Sequence, residues 1–229
     1  MPIPIILGGI ALVAAGYGVK NLHSLKKALS GKKIAVIGGR ASGKTTLVHF
    51  LNYGKTPAEY QATNAEKTKQ KPSVAKELGL TLKDGVDIGG GDKFRTQWQD
   101  LIQQSDIALY LFDFYKLKSN PDHMEDLILD EIKVITDAAL ETKSKKLKKI
   151  FLIATHIDLD PDFDPKFNER EKESYDEKSL MNTLFLRQMQ VKLGGTDDCS
   201  LLFGSLKDSK STESLVKDFL SHVNPAGRS

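Results

Sequence analysis

The sequence predicts an α/β domain with a mostly parallel central sheet that is covered by helices on both faces. Short, mostly apolar runs of the kind that form buried parallel strands occur at residues 33–37, 107–114, 150–154 and 201–203. Amphipathic helical patterns lie between and after these runs, at residues 45–51, 94–104, 127–143, 177–193 and 212–223. Strands that alternate with helices form crossover units, and such units place helices on both faces of a parallel sheet.

The composition is that of an ordinary globular protein. The chain has 229 residues, of which 40% are hydrophobic and 28% charged, so it is neither disordered nor fibrous. Its net charge of +3 is too small to indicate a nucleic-acid partner, and we predict none. The single cysteine, Cys199, excludes an intrachain disulfide and suits a reducing compartment.

The N-terminal thirty residues differ from the rest of the chain. Residues 2–19 carry no charged side chain, and as a helix they would extend about 27 Å, close to the hydrocarbon thickness of a bilayer. The basic residues that follow would stay in the cytoplasm by the positive-inside rule. We therefore predict that residues 1–30 form an apolar helix, acting as a single-pass membrane anchor, with a basic connector. Residues 31–229 would form the cytoplasmic domain. The alternative is a helix that packs on the surface of the domain itself.

The first predicted strand is followed by a glycine-rich loop. Residues 38–45 read GGRASGKT, which matches G-x-x-x-x-G-K-[ST], and a helical pattern comes next, as this motif requires. The glycines let successive backbone N–H groups point at phosphate oxygens. The lysine reaches the β- and γ-phosphates, where it is also predicted to be catalytic, and the threonine hydroxyl is a ligand for Mg²⁺. The predicted phosphate-binding residues are Gly38, Gly39, Arg40, Ala41, Ser42, Gly43, Lys44, Thr45 and Thr46.

A second motif, DIGGGDKFRTQW, occupies residues 87–98. An aspartate at the end of a strand can hold a Mg²⁺-bound water, so Asp87 is a predicted metal-site residue. A glycine next to it lets a backbone N–H contact the γ-phosphate, and we assign this catalytic contact to Gly90.

The second motif resembles the second switch of the Arf-type small GTPases, whose pattern is D-V-G-G-Q-D-K-[IL]-R-x-x-W. The resemblance extends over residues 33–113 and is sparse beyond them. It implies a Ras-like P-loop NTPase fold in which Lys44, Thr45, Asp87 and Gly90 have the roles described above. It also implies GTP or GDP and Mg²⁺ as ligands and a protein effector or activator as partner.

Two positions in the switch regions leave questions open. The family has a water-orienting glutamine where this chain has Gly91, so we expect slow hydrolysis unless another group or a partner replaces that side chain. The family also needs a threonine of the first switch as a Mg²⁺ ligand, and Thr56, Thr63 and Thr68 all have a suitable position. Counting from the phosphate loop favours Thr63, which we name, whereas counting back from Asp87 favours Thr68.

The segment after the strand at residues 150–154 bears on which base is bound. The superfamily reads guanine with N-K-x-D, and here the sequence is Thr155-His156-Ile157-Asp158. The aspartate could accept hydrogen bonds from guanine, whereas adenine offers no such pair of donors. Alternatively, it only caps a turn. Residues 205–207, SLK, resemble the S-A-[KL] motif that contacts the guanine carbonyl. The predicted base-site residues are Thr155, His156, Asp158, Ser205 and Leu206.

Three functions are consistent with these motifs. A membrane-tethered GTPase switch that hydrolyses GTP slowly agrees with all of them. A pseudo-GTPase that binds nucleotide with negligible turnover is kept open by Gly91, and an ATPase only by the altered Thr155 and His156.

Residues 158–174 are charged and contain two prolines, which predicts an exposed loop.

Overall fold

The computed structural model describes residues 27–57, 75, 78–84, 92–141 and 147–223. The predicted apolar helix at residues 2–19 lies outside the described residues, as do Thr63, Asp87, Gly90 and Gly91. Within the described ranges, no helix combines the length and the apolar character needed to cross a membrane.

A five-stranded parallel sheet forms the centre of the described domain. The strands are β1 (Lys33–Gly38), β2 (Thr81–Asp84), β3 (Ile107–Asp113), β4 (Lys149–Thr155) and β5 (Cys199–Phe203), in the spatial order β2-β1-β3-β4-β5. The four predicted strands are thereby confirmed. The edge strand β2 was not predicted, because its four residues, TLKD, contain only one apolar side chain.

Helices connect the strands and cover the sheet. They are α1 (Lys44–Tyr53), α2 (Asp92–Gln103), α3 (Phe114–Ser119), α4 (Pro121–Glu141), α5 (Glu169–Asn182), α6 (Leu184–Lys192), α7 (Gly195–Asp198) and α8 (Ser209–Val223). The single helix predicted at residues 177–193 is wrong, because the structure has two helices, α5 and α6, that meet at Thr183.

The exposed loop predicted at residues 158–174 is also wrong in part, because α5 begins within it. Asn168 and Glu171 form a reciprocal capping box, in which each side chain accepts a hydrogen bond from the other residue's backbone N–H. Earlier in the segment, Asp160 is only 2% exposed and accepts hydrogen bonds from Lys118 and Tyr175. The charged composition therefore did not indicate that this segment contains a buried carboxylate and the start of a helix.

Two hydrophobic clusters cover the two faces of the sheet, as the alternation of strands and helices predicts. On β3, Tyr110 and Phe112 belong to one cluster, together with residues of α2, α4 and α6. Leu109 and Leu111 belong to the other cluster, together with residues of α1 and α8. All strands run in the same direction, so their carboxyl ends share one edge. The chain order reverses between β1 and β3, the position where ligands bind in open α/β sheets.

Candidate nucleotide-binding site

The glycine-rich loop leaves the carboxyl end of β1 and enters α1. At Gly38, φ is +144°, and a Cβ atom there would lie 2.1 Å from the carbonyl oxygen of Leu111 on β3. At Gly43, φ is +93°, and a Cβ atom would lie 2.4 Å from the Cδ1 atom of Leu206. Ala41 also has a positive φ, of 60°. The loop therefore turns back on itself against β3 and the segment after β5. Glycine is required at position 38 by the close backbone contact, and it is favoured at position 43 by the positive φ.

The side chains of the loop provide groups that suit phosphate and Mg²⁺. Lys44 is 6% exposed, and its Nζ donates a hydrogen bond of 2.7 Å to the carbonyl oxygen of Gly39. Thr45 is exposed at the first turn of α1, Thr46 is half-buried, and Arg40 is exposed. An ammonium group and loop N–H groups suit phosphate oxygens, and a hydroxyl oxygen is a ligand that Mg²⁺ accepts.

The other predicted ligands of Mg²⁺ are described only in part. Asp87 and Thr63 lie outside the described residues, but β2, which precedes Asp87, pairs in parallel with β1. The carboxyl end of β2 thus lies at the same edge as the phosphate loop. Of the three candidate threonines, Thr56 alone falls within the described ranges. It is 3% exposed, and its backbone N–H donates to the Oγ atom of Ser209 at the start of α8.

Thr155 connects the segment after β4 to the phosphate loop. It is fully buried, and its Oγ1 atom lies 3.0 Å from the carbonyl oxygen of Ser42 and 2.8 Å from that of Phe112. A hydroxyl has a single proton to donate, so the two carbonyl groups share one donor. The threonine that replaces the family's asparagine thus joins the base segment to both the loop and β3.

His156 makes the second connection between these segments. Its Nε2 atom lies 3.0 Å from the carbonyl oxygen of Ala41. Because a carbonyl oxygen only accepts, this nitrogen carries the proton. The backbone of His156 is left-handed, with φ of 61°, which turns the chain into the short 3₁₀ helix Ile157–Leu159. This hydrogen bond directs the imidazole of His156, a predicted base-site residue, to the phosphate loop.

Asp158 lies in this 3₁₀ helix and is half-buried. Its carboxylate makes no hydrogen bond or ion pair to another described residue, and the side chain does not cap the turn. This observation argues against the simple capping role. Ser205 and Leu206, which follow β5, are 5% and 8% exposed, and Ser205 Oγ accepts a hydrogen bond from the N–H of Lys207. The side chain of Leu206 packs on the phosphate loop at Gly43.

Asp113, a carboxylate at the same edge of the sheet, was not predicted as a site residue. Asp113 ends β3 and is 7% exposed. One carboxylate oxygen accepts a hydrogen bond from the N–H of Lys116, so Asp113 caps the start of α3. The other lies 3.0 Å from Lys116 Nζ and 4.0 Å from His156 Nε2. The available signal was an aspartate at the end of a fully apolar strand.

Glu131 on α4 was also missed. It is 7% exposed, and Oε2 accepts a hydrogen bond of 2.6 Å from the hydroxyl of the buried Tyr110. A Cβ atom on Gly39 would lie 3.5 Å from Oε1, so the carboxylate faces the phosphate loop. Burial raises the pKa of Glu131, and the Tyr110 hydrogen bond and the charge of Lys44 oppose this increase only in part. The available signal was a glutamate on the apolar face of α4, at helical spacing from Ile128 and Ile135.

A glycine loop with a buried lysine, at the point where the strand order of a parallel sheet reverses, defines a P-loop nucleotide-binding protein. The chain belongs to the ADP-ribosylation factor family, whose family model matches residues 19–191. The resemblance based on the second switch is thereby confirmed. A comparison with curated protein sequences gives no match.

Two solved structures show what this chain resembles in three dimensions. One is an ADP-ribosylation factor-like GTP-binding protein, the small COPII coat GTPase SAR1 from Encephalitozoon cuniculi, in complex with GDP. It is 12% identical, with a TM-score of 0.46, and the match covers 95% of this chain and 92% of that chain. The other is a GTP-binding protein from the hyperthermophilic archaeon Sulfolobus solfataricus in complex with GDP. It is 16% identical, with a TM-score of 0.51, over 90% of this chain and 56% of that chain. At this identity the second similarity concerns the fold alone.

Proposed function

We propose that this chain is a membrane-tethered GTP-binding protein that hydrolyses GTP slowly to GDP and phosphate and acts as a nucleotide-dependent switch. The observation that carries the proposal is the connection between the two halves of the site. Thr155 and His156 both contact carbonyl groups of the phosphate loop, at Ser42 and Ala41. The segment proposed to recognise the base therefore contacts the loop proposed to bind phosphate directly. Membership of the ADP-ribosylation factor family supports guanine nucleotide as the ligand.

Each part of the nucleotide has a proposed partner. Lys44 and the loop N–H groups hold the β- and γ-phosphates, and Thr45 and Asp87, with Thr63, hold Mg²⁺. Asp158 accepts hydrogen bonds from N1 and the exocyclic amine of guanine, because its carboxylate has no competing partner among the described residues. The segment at Ser205 and Leu206 contacts the guanine carbonyl through its backbone.

Hydrolysis is an in-line attack of water on the γ-phosphate. Lys44 neutralises the negative charge that develops on the phosphate oxygens, and the N–H of Gly90 donates to the γ-phosphate. Bound Mg²⁺ would supply further positive charge. Gly91 has no side chain to orient the attacking water, so turnover without a partner is slow. When the γ-phosphate is lost, the switch segments lose these contacts, and a partner protein recognises the difference.

Gly91 also favours a second candidate, a binding module that retains nucleotide with negligible turnover. The two candidates differ in single-turnover hydrolysis. A slow but measurable release of phosphate, abolished in Lys44→Ala, supports the GTPase. Phosphate release at the rate of GTP in buffer supports the binding module.

The nucleotide preference is tested by titrating the full chain with fluorescent GTP, GDP and ATP analogues in the presence of Mg²⁺. We expect selectivity for guanine nucleotides. Asp158→Asn should lose that selectivity and gain affinity for xanthine nucleotides, because an amide offers one donor and one acceptor where the carboxylate offers two acceptors. Asp162→Asn, at an exposed carboxylate nearby, is the matched control. Equal affinity for ATP in the wild type would overturn the proposal.

The membrane tether is supported by residues 2–19, which contain no charged side chain and precede a basic segment. Alkaline extraction of membranes that contain the full chain tests it. A spanning helix stays in the membrane pellet. Leu12→Arg, at the middle of the apolar run, should reduce insertion, because an arginine at the centre of a membrane helix costs about 3 kcal/mol. Complete release of the wild type at high pH would contradict the tether.

A further inference from the structure

A buried carboxylate lies directly beside the phosphate loop, and the proposed mechanism does not use it. Glu131 is 7% exposed, and its Oε1 and Oε2 atoms lie 3.5 Å and 3.7 Å from the position that a Cβ atom on Gly39 would take. In most proteins a carboxylate that is so deeply buried has a cation as partner. Here the group lies next to a loop that is built to receive anions.

The surroundings of Glu131 hold this carboxylate in place. From β3, the buried Tyr110 hydroxyl donates to Oε2 at 2.6 Å. From α1, the positive charge of Lys44 acts on the carboxylate. From α2, Trp98 packs edge-on against Tyr110, with 6.2 Å between the ring centroids. Among the described residues, Lys44 is therefore the charged group that acts on Glu131, and it is the lysine that binds phosphate.

The carboxylate lies at the end of the phosphate loop where Lys44 is bound. Gly39, which faces Glu131, also carries the carbonyl oxygen that holds the Lys44 ammonium group. That ammonium group contacts the β- and γ-phosphates in loops of this type. The base end of the loop is elsewhere, at Ala41, where His156 is bound. A γ-phosphate would thus bring its negative charge to the end of the loop that Glu131 faces, and because Glu131 is buried, solvent screens the repulsion only weakly.

Resting on the proposed function, we propose that Glu131 is a specificity-determining residue whose negative charge weakens the binding of GTP relative to GDP. GTP carries one more negative charge than GDP and places it at the end of the loop that Glu131 faces. The ionised carboxylate also competes for the positive charge of Lys44. A protonated carboxyl group does neither, so the preference between the two nucleotides depends on pH.

Glu131→Gln tests the proposal in the full chain, because glutamine keeps the size of the side chain and accepts the Tyr110 hydrogen bond but carries no charge. Asp126→Asn, which removes a charge from the exposed side of the same helix, is the matched control. Affinities are measured with GDP and with a non-hydrolysable GTP analogue, and thermal unfolding checks that each variant is folded. We expect Glu131→Gln to bind the GTP analogue about tenfold more tightly and GDP with a smaller gain. Asp126→Asn should bind both as the wild type does.

A second measurement does not depend on the variant folding. In the wild type, the ratio of GTP-analogue affinity to GDP affinity should rise as the pH is lowered, because protonation removes the opposing charge. Glu131→Gln should lose this part of the pH dependence. Unchanged or weaker binding by a folded Glu131→Gln, or a wild-type ratio that does not rise in acid, would overturn this inference and leave the proposed function intact. If the wild type binds neither nucleotide, the proposed function fails as well.

Discussion

Replacing Thr155 with valine tests whether the base segment and the phosphate loop form one unit. The hydroxyl of Thr155 is fully buried and lies within 3.0 Å of the Ser42 carbonyl oxygen and 2.8 Å of the Phe112 carbonyl oxygen. Valine keeps the shape of the side chain, so the change removes one hydrogen-bond donor without opening a cavity. The free energy of unfolding should fall by about 1 to 2 kcal/mol. Because Ser42 belongs to the phosphate loop, nucleotide affinity should also fall, by about fivefold, or about 1 kcal/mol.

Urea unfolding without nucleotide measures the first effect, and titration with a fluorescent GDP analogue measures the second. Thr212→Val is the matched control, because Thr212 is also fully buried and donates its hydroxyl to a backbone carbonyl, that of Asp208 at 2.8 Å. The control should lose similar stability and keep its nucleotide affinity. If Thr155→Val binds nucleotide as tightly as the control does, the reasoning that this hydroxyl orders the phosphate loop is refuted.

Three further predictions concern the fold around the site. Gly38→Ala should give no folded protein by circular dichroism, because its Cβ would lie 2.1 Å from a carbonyl oxygen of β3. Gly54→Ala has open space at φ of +69° and should cost about 1 kcal/mol, with a normal spectrum. Lys118→Met should lower the free energy of unfolding at pH 7 by about 1 kcal/mol, since solvent screens the half-exposed ammonium group. Burial alone would raise the pKa of Asp160, but hydrogen bonds, above all from Lys118, hold it below its ordinary value. That stabilisation is lost as pH falls through the native-state pKa, so the unfolding curves of variant and wild type should converge in acid. Burial raises the pKa of Asp176 to about 6, so the native state binds a proton that the unfolded chain releases. The free energy of unfolding of the wild type should therefore fall as pH rises from about 4 to about 6. Asp176→Asn should remove this fall and be about 1 to 2 kcal/mol more stable than the wild type at pH 7. Equal urea midpoints for Asp176→Asn and wild type at both pH 5 and pH 7 would contradict this.

The sequence alone determined the parallel α/β fold, the phosphate loop and the family. Each depends on a local property of the chain: apolar runs, helical spacing, or the fixed intervals of GGRASGKT and DIGGGDKFRTQW. Local patterns gave wrong predictions where a polar or charged segment takes part in the sheet or in the buried interior. The short polar strand β2 lacks an apolar run, and the charged segment before α5 contains the buried Asp160.

Only the tertiary structure decided which side chains meet at the site. The contact between Thr155 and Ser42 joins residues 113 positions apart, and it exists because β4 lies beside β3, next to the strand that leads into the loop. Glu131 faces Gly39 because α4 packs on the sheet in one particular rotation. Strand order and helix rotation result from packing of the whole domain, and no short stretch of sequence contains that information.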